Sequence, residues 1–465
     1  MKKQVLSVWV FCSALGIAQA QTDVTKEYLV NPSFETLKAA DGATDVTVKT
    51  KLENGLYGWE ISRLGNNGNS TFQVESQESG SSSDFPGNGF IVPTEGTYYY
   101  FNSQTWMYGS NESVIKTQTS KPLEAGNYYL TIDYKAADYS NNNTDGNGTS
   151  LGLKVHKAGS EELLGENTAV RRAYSVINNN ASPNGDKYMQ DAPWDKMGVM
   201  FTITESSNID ITIAQTLKSR GRSDVAYDNL KLYKMDEISE SFPLDVSFLI
   251  SNANDYAFGG WKMEGGNTFQ INTWSTEGNT DGSNMTTPFI QDHVGKENKA
   301  ANAIISHTSN YLIPGIYEVS GLIRVLNEAG GAAPSGATLY ANEGSTDACA
   351  GTSCTNGVYG TYTVKGTVGT DGVLTFGIKV ANANFNWVSF KDFKLQYLGA
   401  ATTGQLKAIL KEKMTEAQAC VANCSKGIAA IVNAAITQGN NAQDTEESLN
   451  AAITALTQAI ALAEQ

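Results

Sequence analysis

The sequence predicts a mainly β chain: two tandem antiparallel β-sandwich domains, then a small C-terminal α-helical hairpin or bundle. Three observations predict it. Short β-branched and aromatic runs, such as Tyr128-Tyr129-Leu130-Thr131-Ile132-Asp133-Tyr134 and Ile209-Asp210-Ile211-Thr212-Ile213, alternate with Gly, Asn, Ser and Asp turns. A loose internal repeat divides this body in two, and no helical pattern interrupts it before residue 400. After Gly399-Ala400 the composition shifts to Ala, Leu, Ile, Lys, Glu and Gln at helical spacing. Strands this frequent without helices between them exclude a parallel α/β fold.

At the N-terminus, Met1-Lys2-Lys3 is a short basic region, Val5 to Ile17 an apolar run, and Ala18-Gln19-Ala20 a small-x-small site before Gln21. Residues 1–20 are therefore expected to be a cleaved signal peptide, shorter in its apolar run than the roughly 20 residues of a membrane span. Export leaves the periplasm, the cell surface or the medium as destinations.

The first sandwich is expected over 22–236 and the second over 242–399. Leu29-Val30-Asn31-Pro32-Ser33-Phe34-Glu35 returns as Leu249-Ile250-Ser251-Asn252-Ala253-Asn254-Asp255, and each is followed by a Gly-Trp pair, Gly58-Trp59 and Gly260-Trp261. Leu123 to Tyr128 is answered by Leu312 to Tyr317, a turn feeding a strand. The copies close on Ala226-Tyr227-Asp228-Asn229-Leu230-Lys231-Leu232-Tyr233 and Ser389-Phe390-Lys391-Asp392-Phe393-Lys394-Leu395. A period this long marks tandem domains and not a solenoid.

The helical domain is expected over 402–465. Leu406, Ile409, Leu410, Ala417, Val421, Ile428, Ile431, Val432 and Ala435 make a long amphipathic helix that Gly439-Asn440-Asn441 breaks. Asp444 and Glu447 form an Asp-led capping pattern before Leu449, Ile453, Leu456 and Ile460. Two helices result, or three if Gly427 kinks the first.

Charge excludes several classes of partner. The chain has 33 Lys and Arg against 48 Asp and Glu, a formal net charge of −15. Nucleic acids and anionic membrane surfaces both need cations in clusters, which are missing here. Four cysteines follow the signal peptide as two close pairs, Cys349/Cys354 and Cys420/Cys424, and export makes disulfides plausible. The first pair spans a Gly-containing loop short enough to close. The second lies four apart on a helix and either bridges or packs as small apolar residues.

Asn31-Pro32-Ser33-Phe34-Glu35, Gly58-Trp59 and the final Asp228-Asn229-Leu230-Lys231-Leu232 together resemble carbohydrate-binding modules of the galactose-binding-like jelly-roll superfamily, the CenC type most of all. The resemblance spans the first sandwich and, eroded, the second. The trailing helices resemble small bundles at the ends of secreted surface and polysaccharide-degrading proteins, and the layout resembles exported proteins of gut-type Bacteroidetes. The resemblance implies a structural Ca²⁺ between the first and last strands, held by Glu35 and Asp228. In the second copy Lys391 stands where Asp228 would be, so calcium is expected in the first domain only.

Catalytic signatures are missing from the sequence. It has no Gly-x-Ser-x-Gly elbow, His-Glu-x-x-His or phosphate loop, and only His156, His293 and His307 are available for base or metal work. It does supply 21 Tyr, 16 Phe and 7 Trp interleaved with amides and hydroxyls. An aromatic face packs on the apolar face of a pyranose while amides bond its hydroxyls, which suits neutral glycans. The candidate ligand residues are Trp106 and Tyr108 in the loop Gln104-Thr105-Trp106-Met107-Tyr108, Tyr98 and Tyr100 on the strand before it, and Trp194, Arg220 and Arg222. In the second domain they are Trp274, Asn384, Asn386 and Trp387. Trp59 and Trp261 are expected to pack in the cores. The expected function is non-catalytic binding of a polysaccharide or glycan by a secreted protein. The alternatives are a structural or adhesive surface protein whose helical tail pairs with a protein partner, and a cryptic glycoside hydrolase.

Overall fold

The computed structural model describes residues 21–63, 70–77, 91–106, 111–138, 149–171, 194–217, 221–250, 260–265, 269–272, 277–278, 284–285, 289–342, 344–349, 359–422 and 424–463. Within them lie four large antiparallel sheets and, after residue 402, three helices. The front sheet of the first sandwich runs Asp195–Ile203, Gly126–Asp138, Gly221–Met235, Tyr98–Trp106, Ser70–Ser76, with Gln21–Asp23 pairing the end of Gly221–Met235. Its back sheet runs Gly55–Leu56, Trp59–Arg63, Asn111–Gln118, Ile209–Leu217, Thr149–Lys157, Leu163–Arg171. Period-two patterning explains the layering. Leu130, Ile132, Val225 and Tyr227 from the front meet Ile115, Leu153, Ile211 and Ile213 from the back in one apolar core.

The second sandwich repeats the plan. Its front sheet runs Gln270–Asn272, Phe289–His293, Trp387–Tyr397, Gly315–Leu326, Gly360–Val368, with Leu244–Asp245 beside Trp387–Tyr397. Its back sheet runs Trp261–Gly265, Ala303–Ser309, Leu374–Val380, Ala337–Ala341, Gly344–Asp347. In both copies the last strand is central, and in both it carries a bulge. The register jumps from Asp228 opposite Asp133 to Lys231 opposite Thr131, and from Lys391 opposite Leu322 to Lys394 opposite Ser320. The residue after each, Asn229 (φ 55°) and Asp392 (φ 54°), takes the left-handed conformation that Asn and Asp tolerate. Lys391 thus occupies the ladder position of Asp228. Gly58 and Gly260 share φ 82° ahead of Trp59 and Trp261, both buried in their cores.

The sandwiches are packed against each other. Phe248, in the short 3₁₀ turn Ser247–Leu249, stacks on Tyr129 (ring centroids 5.3 Å apart), which stacks on Tyr233 (4.7 Å). Tyr317 Oη, which donates to the Ile313 carbonyl (2.8 Å), lies 3.7 Å from Met200 Sδ, and Asn167 Nδ2 donates to the carbonyls of Gly198 (2.9 Å) and Phe248 (3.2 Å). Gly198 has to be glycine there, because a Cβ would sit 2.4 Å from the Phe248 ring. Tyr129, Met200 and Met235 consequently belong to the same apolar cluster as the second sandwich's core.

The helices are Thr403–Val421, Lys426–Asn440 and Glu446–Ala463. The break between the first two falls around Cys424 and Ser425, with Gly427 inside the second helix. Thr402 and Gln405 form a reciprocal capping box on the first. The third is capped by Thr445, whose Oγ1 accepts from Ser448 N (3.3 Å), and not by the expected Asp444, which pairs with Lys407 (2.6 Å). Leu406, Ile409, Val432, Leu449, Ile453 and Leu456 close a core that includes Ile316 and Leu398 of the second sandwich and Ala401 in the link after it. Ile431, expected on the stripe, is 49% exposed. Among the described residues no helix is long and apolar enough to cross a membrane.

No disulfide joins Cys420 and Cys424: the Cys424 thiol donates to the Cys420 carbonyl (2.9 Å), which orients it along the helix end. The other expected bridge, from Cys349, involves Cys354, which lies outside the described residues.

The shared cluster is expected to make the sandwiches unfold as one unit. Phe248→Ala is expected to cost about 2 kcal/mol, below the usual range for a fully buried ring, and to split a single urea transition into two. A variant that unfolds in one transition at the wild-type midpoint would contradict this coupling.

Candidate functional site

The bulge decides which residues face away from the core. Val225 and Tyr227 before it and Leu230 and Leu232 after it all point inward. Asp224, Ala226 and Asp228 therefore point outward before the bulge, and Lys231 and Tyr233 after it. By register the same outer face receives Tyr99 and Phe101, Thr131, Asp133 and Lys135, and Lys196.

A strap formed by residues 91–97 crosses this face. Ile91 packs with Tyr99, Phe101 and Ala226. The Val92 carbonyl accepts from Trp194 Nε1 (2.8 Å). Thr94 N (2.7 Å), Thr94 Oγ1 (2.9 Å) and Glu95 N (3.0 Å) donate to Asp228 Oδ2, and Asn229 N donates to Oδ1 (2.7 Å). Thr97 N and Tyr98 N donate to Glu35 Oε1, both at 2.9 Å, while Lys231 pairs with Glu95 (2.6 Å). Asp228 is fully buried, and that burial pushes its carboxyl up to about 6 despite the donors.

This donor set bears on the expected Ca²⁺. Both carboxylates receive N–H groups, which aim positive charge at the oxygens a cation would need. As placed, Glu35 and Asp228 fit the strap's amides and do not fit a metal ion. Among the described residues no group of three His, Cys, Asp or Glu gathers as a metal site.

Trp194 stands at the strap's edge, half-buried and fixed. Its N–H is tied to Val92, Tyr99 meets it edge to face at 6.5 Å, and Lys135 Nζ lies 5.9 Å from its ring centroid. Behind it, Tyr99 Oη donates to the buried Glu75 (2.8 Å), which Gln73 also contacts. Burial pushes the Glu75 carboxyl above its ordinary value, and these hydrogen bonds partly offset it.

The outer face of the second sandwich holds a closed cluster. His293 stacks on Trp387 at 4.2 Å, and the Arg324 guanidinium carbon lies 4.4 Å from the Trp387 centroid. They come from the strands flanking Trp387 on either side, so the indole stands between them. Trp387 is 5% exposed, so it offers no open platform to a ligand, contrary to expectation. Asn386, also expected to bind ligand, is buried and spends its amide locally: Nδ2 donates to Val294 O (2.9 Å) and Glu328 Oε2 (2.6 Å), and Oδ1 accepts from Glu328 N (2.9 Å). His293 Nε2 meets Glu328 Oε2 at 2.8 Å. Burial alone would raise Glu328; the hydrogen bonds of His293 and Asn386, with the charges of His293 and Arg324, hold it below its ordinary value. Trp387 Nε1 and Gln291 Oε1 have no hydrogen-bond partner among the described residues.

The other expected site residues divide. Tyr100 is a core residue, fully buried and stacked between Phe34 (5.2 Å) and Phe72 (5.6 Å), because strand alternation turns it opposite to Tyr99. Tyr98 is partly buried against the same core. Asn384 holds the 333–335 turn through Ala333 O and Ser335 N. Backbone pairing sets Trp106 opposite Gly221 and Arg222 opposite Thr105. Tyr108, Arg220 and Trp274 lie outside the described residues. Tyr99, Lys135, Glu75, Arg324 and Glu328 join these sites without having been among the expected residues. Lys135 and Arg324 occupy one ladder position, opposite Ala226 and Ser389, and each lies by an indole. A cation repeated on a strand with alternating apolar residues was the available signal.

No family model matches the chain, and no curated protein matches it. Solved structures that are similar include a TmCBM61 in complex with beta-1,4-galactotriose (16% identity, 44% of this chain, 97% of that one, TM-score 0.26). A cyclase from Fischerella sp. is 15% identical over 47% of this chain and 98% of its own, with a TM-score of 0.29. The CBM22-1-CBM22-2 tandem domain of Paenibacillus barcinonensis Xyn10C is 10% identical over 83% of this chain and 99% of its own, with a TM-score of 0.23. At these scores none of them transfers a site or an activity.

Asp228 gives the strap a pH signature. Its folded pKa of about 6 lies above the ordinary 3.8, so its stabilising contribution is complete below 3.8 and is lost as pH rises through 6. That amounts to about 3 kcal/mol for a shift this large. Asp228→Asn is expected to remove this component from unfolding curves measured between pH 4 and 7 and to lower stability at pH 4 by about 1–3 kcal/mol through the broken strap bonds. A variant with the wild-type pH profile would overturn the assignment.

Proposed function

We propose that the chain is an exported, non-catalytic protein that binds a neutral polysaccharide or glycan through the outer face of its first sandwich. The observation that carries this is Trp194. Its indole is half exposed, while its N–H and one edge are fixed by Val92 and Tyr99. An immobilised aromatic face loses little rotamer freedom when a pyranose stacks on it. Beside it, Lys196, two residues on and on the same face, is exposed and offers donors for hydroxyl groups. The second sandwich supports a different part, since its matching cluster is closed around Trp387. The helical stripe is spent on its own core and on Ile316 and Leu398, so it supports no separate reading of the tail as a partner-binding element.

Affinity electrophoresis of the 21–465 chain through gels containing galactan, xylan or mixed-linkage glucan tests this. Retardation by at least one of them is expected, with Trp194→Ala weakening binding about tenfold or more, the loss of one anchoring aromatic. A chelator is expected to leave retardation unchanged. Free mobility in every gel, from protein shown to be folded, would refute the proposal, and release of reducing sugar would replace it with a hydrolase.

A further inference from the structure

We infer that the groove at the junction of the two sandwiches is a second glycan subsite, so that the first sandwich takes an extended polysaccharide chain and not an isolated sugar end. This rests on the glycan-binding reading and assigns the length of its ligand. The groove measures about 510 Å³ and lies between the outer face of the front sheet and the linker segment Pro243–Phe248. Its floor is formed by Thr131, Lys196 and Tyr233, and Tyr233 reaches it only because the bulge at Asn229 reverses which residues of the last strand face outward.

Tyr233 is built as a platform. One ring face lies on Tyr129 at 4.7 Å and 14°, and Tyr129 rests in turn on Phe248, so the ring is backed by two others. Its ladder neighbour on the far side is Asp23, an exposed side chain too short to cover the other face. Tyr233 accordingly stays half-buried. Asp23, Lys196 and Asp245 line the groove and supply acceptors and donors around that ring, the arrangement a polyhydroxylated chain requires.

Continuity with Trp194 follows from register. Trp194 precedes Asp195, which pairs with Tyr134, and Tyr233 pairs with Tyr129 on the same neighbouring strand. Trp194 itself stands one position further along, level with Lys135, so the offset is six residues, about 20 Å along the strands, with two strand spacings, about 10 Å, across them. Lys196 lies between, two residues from Trp194 on the same face and itself part of the groove's floor. A ligand touching both rings has to be an oligosaccharide of several units.

Titration calorimetry with di- and trisaccharides and with hexa- to octasaccharides, cut from galactan, xylan and mixed-linkage glucan, tests the inference on the 21–465 chain. Tyr233→Ala is expected to weaken the long ligands about tenfold and leave the short ones within about twofold, a loss set by one stacking contact. Tyr233→Leu, which keeps an apolar contact on Tyr129 and so protects the fold, is expected to behave as Tyr233→Ala does. Tyr233→Phe is expected to bind both lengths like the wild type. If Tyr233→Ala and Tyr233→Leu bind long ligands normally while Trp194→Ala loses them, the junction subsite is refuted and the glycan-binding reading stands. If the wild type binds neither length nor the parent polysaccharides, both fall.

Discussion

The bulge in the last strand of each sandwich is the constraint from which the rest follows. Gly221–Met235 is paired along both sides, so every residue on it is committed either to the core or to the outer face. One left-handed residue, Asn229, shifts that commitment by a single position. Val225 and Tyr227 can then share the core with Leu230 and Leu232, while Asp228 and Tyr233 both face out. Asp228 ties down the strap that fixes Trp194, and Tyr233 builds the stack that seats the second sandwich. The second copy keeps the bulge at Asp392 and changes the side chain before it to Lys391.

The two outer faces are therefore variations on one ladder with different outcomes. In the first, a cation at Lys135 lies beside an indole that stays half open. In the second, Arg324 and His293 close on Trp387 from both flanks, and Glu328 and Asn386 knit the rim. A closed aromatic contributes stability through burial, and an open, pinned one is available to a ligand. Tandem copies can divide these tasks because the fold needs only the inward half of each strand.

Much of the fold was legible in the sequence because layering depends on period-two patterning, and the patterning is strong: Leu130 and Ile132 alternate with Thr131 and Asp133. The break at Gly439-Asn440-Asn441 was legible, and a third helix was expected only if Gly427 kinked the first; the division falls instead at Cys424 and Ser425, since a glycine is tolerated inside a helix that packs on a neighbour. The site was less legible. Tyr98 to Phe101 reads as four aromatics in a row, and nothing local says that Tyr99 and Phe101 face the strap while Tyr100 enters the core; only the partner strand's register does. The pairing of Glu35 and Asp228 was read as a metal cage, yet the segment that occupies them, residues 91–97, has no signature of its own. Lys391 was correctly aligned with Asp228, because the bulge motif is carried by contiguous residues.

The central claim is that the open outer face of the first sandwich, from Trp194 to the junction, receives a glycan. Hydrogen exchange of the 21–465 chain with and without a saturating polysaccharide measures this most directly, because it locates contacts without altering the protein. The account predicts slowed exchange in the strap and in the segments around Trp194 and Tyr233, with the second sandwich's Trp387 cluster unchanged. Protection confined to the second sandwich or to the helices, with the strap exchanging as in the free protein, would contradict it.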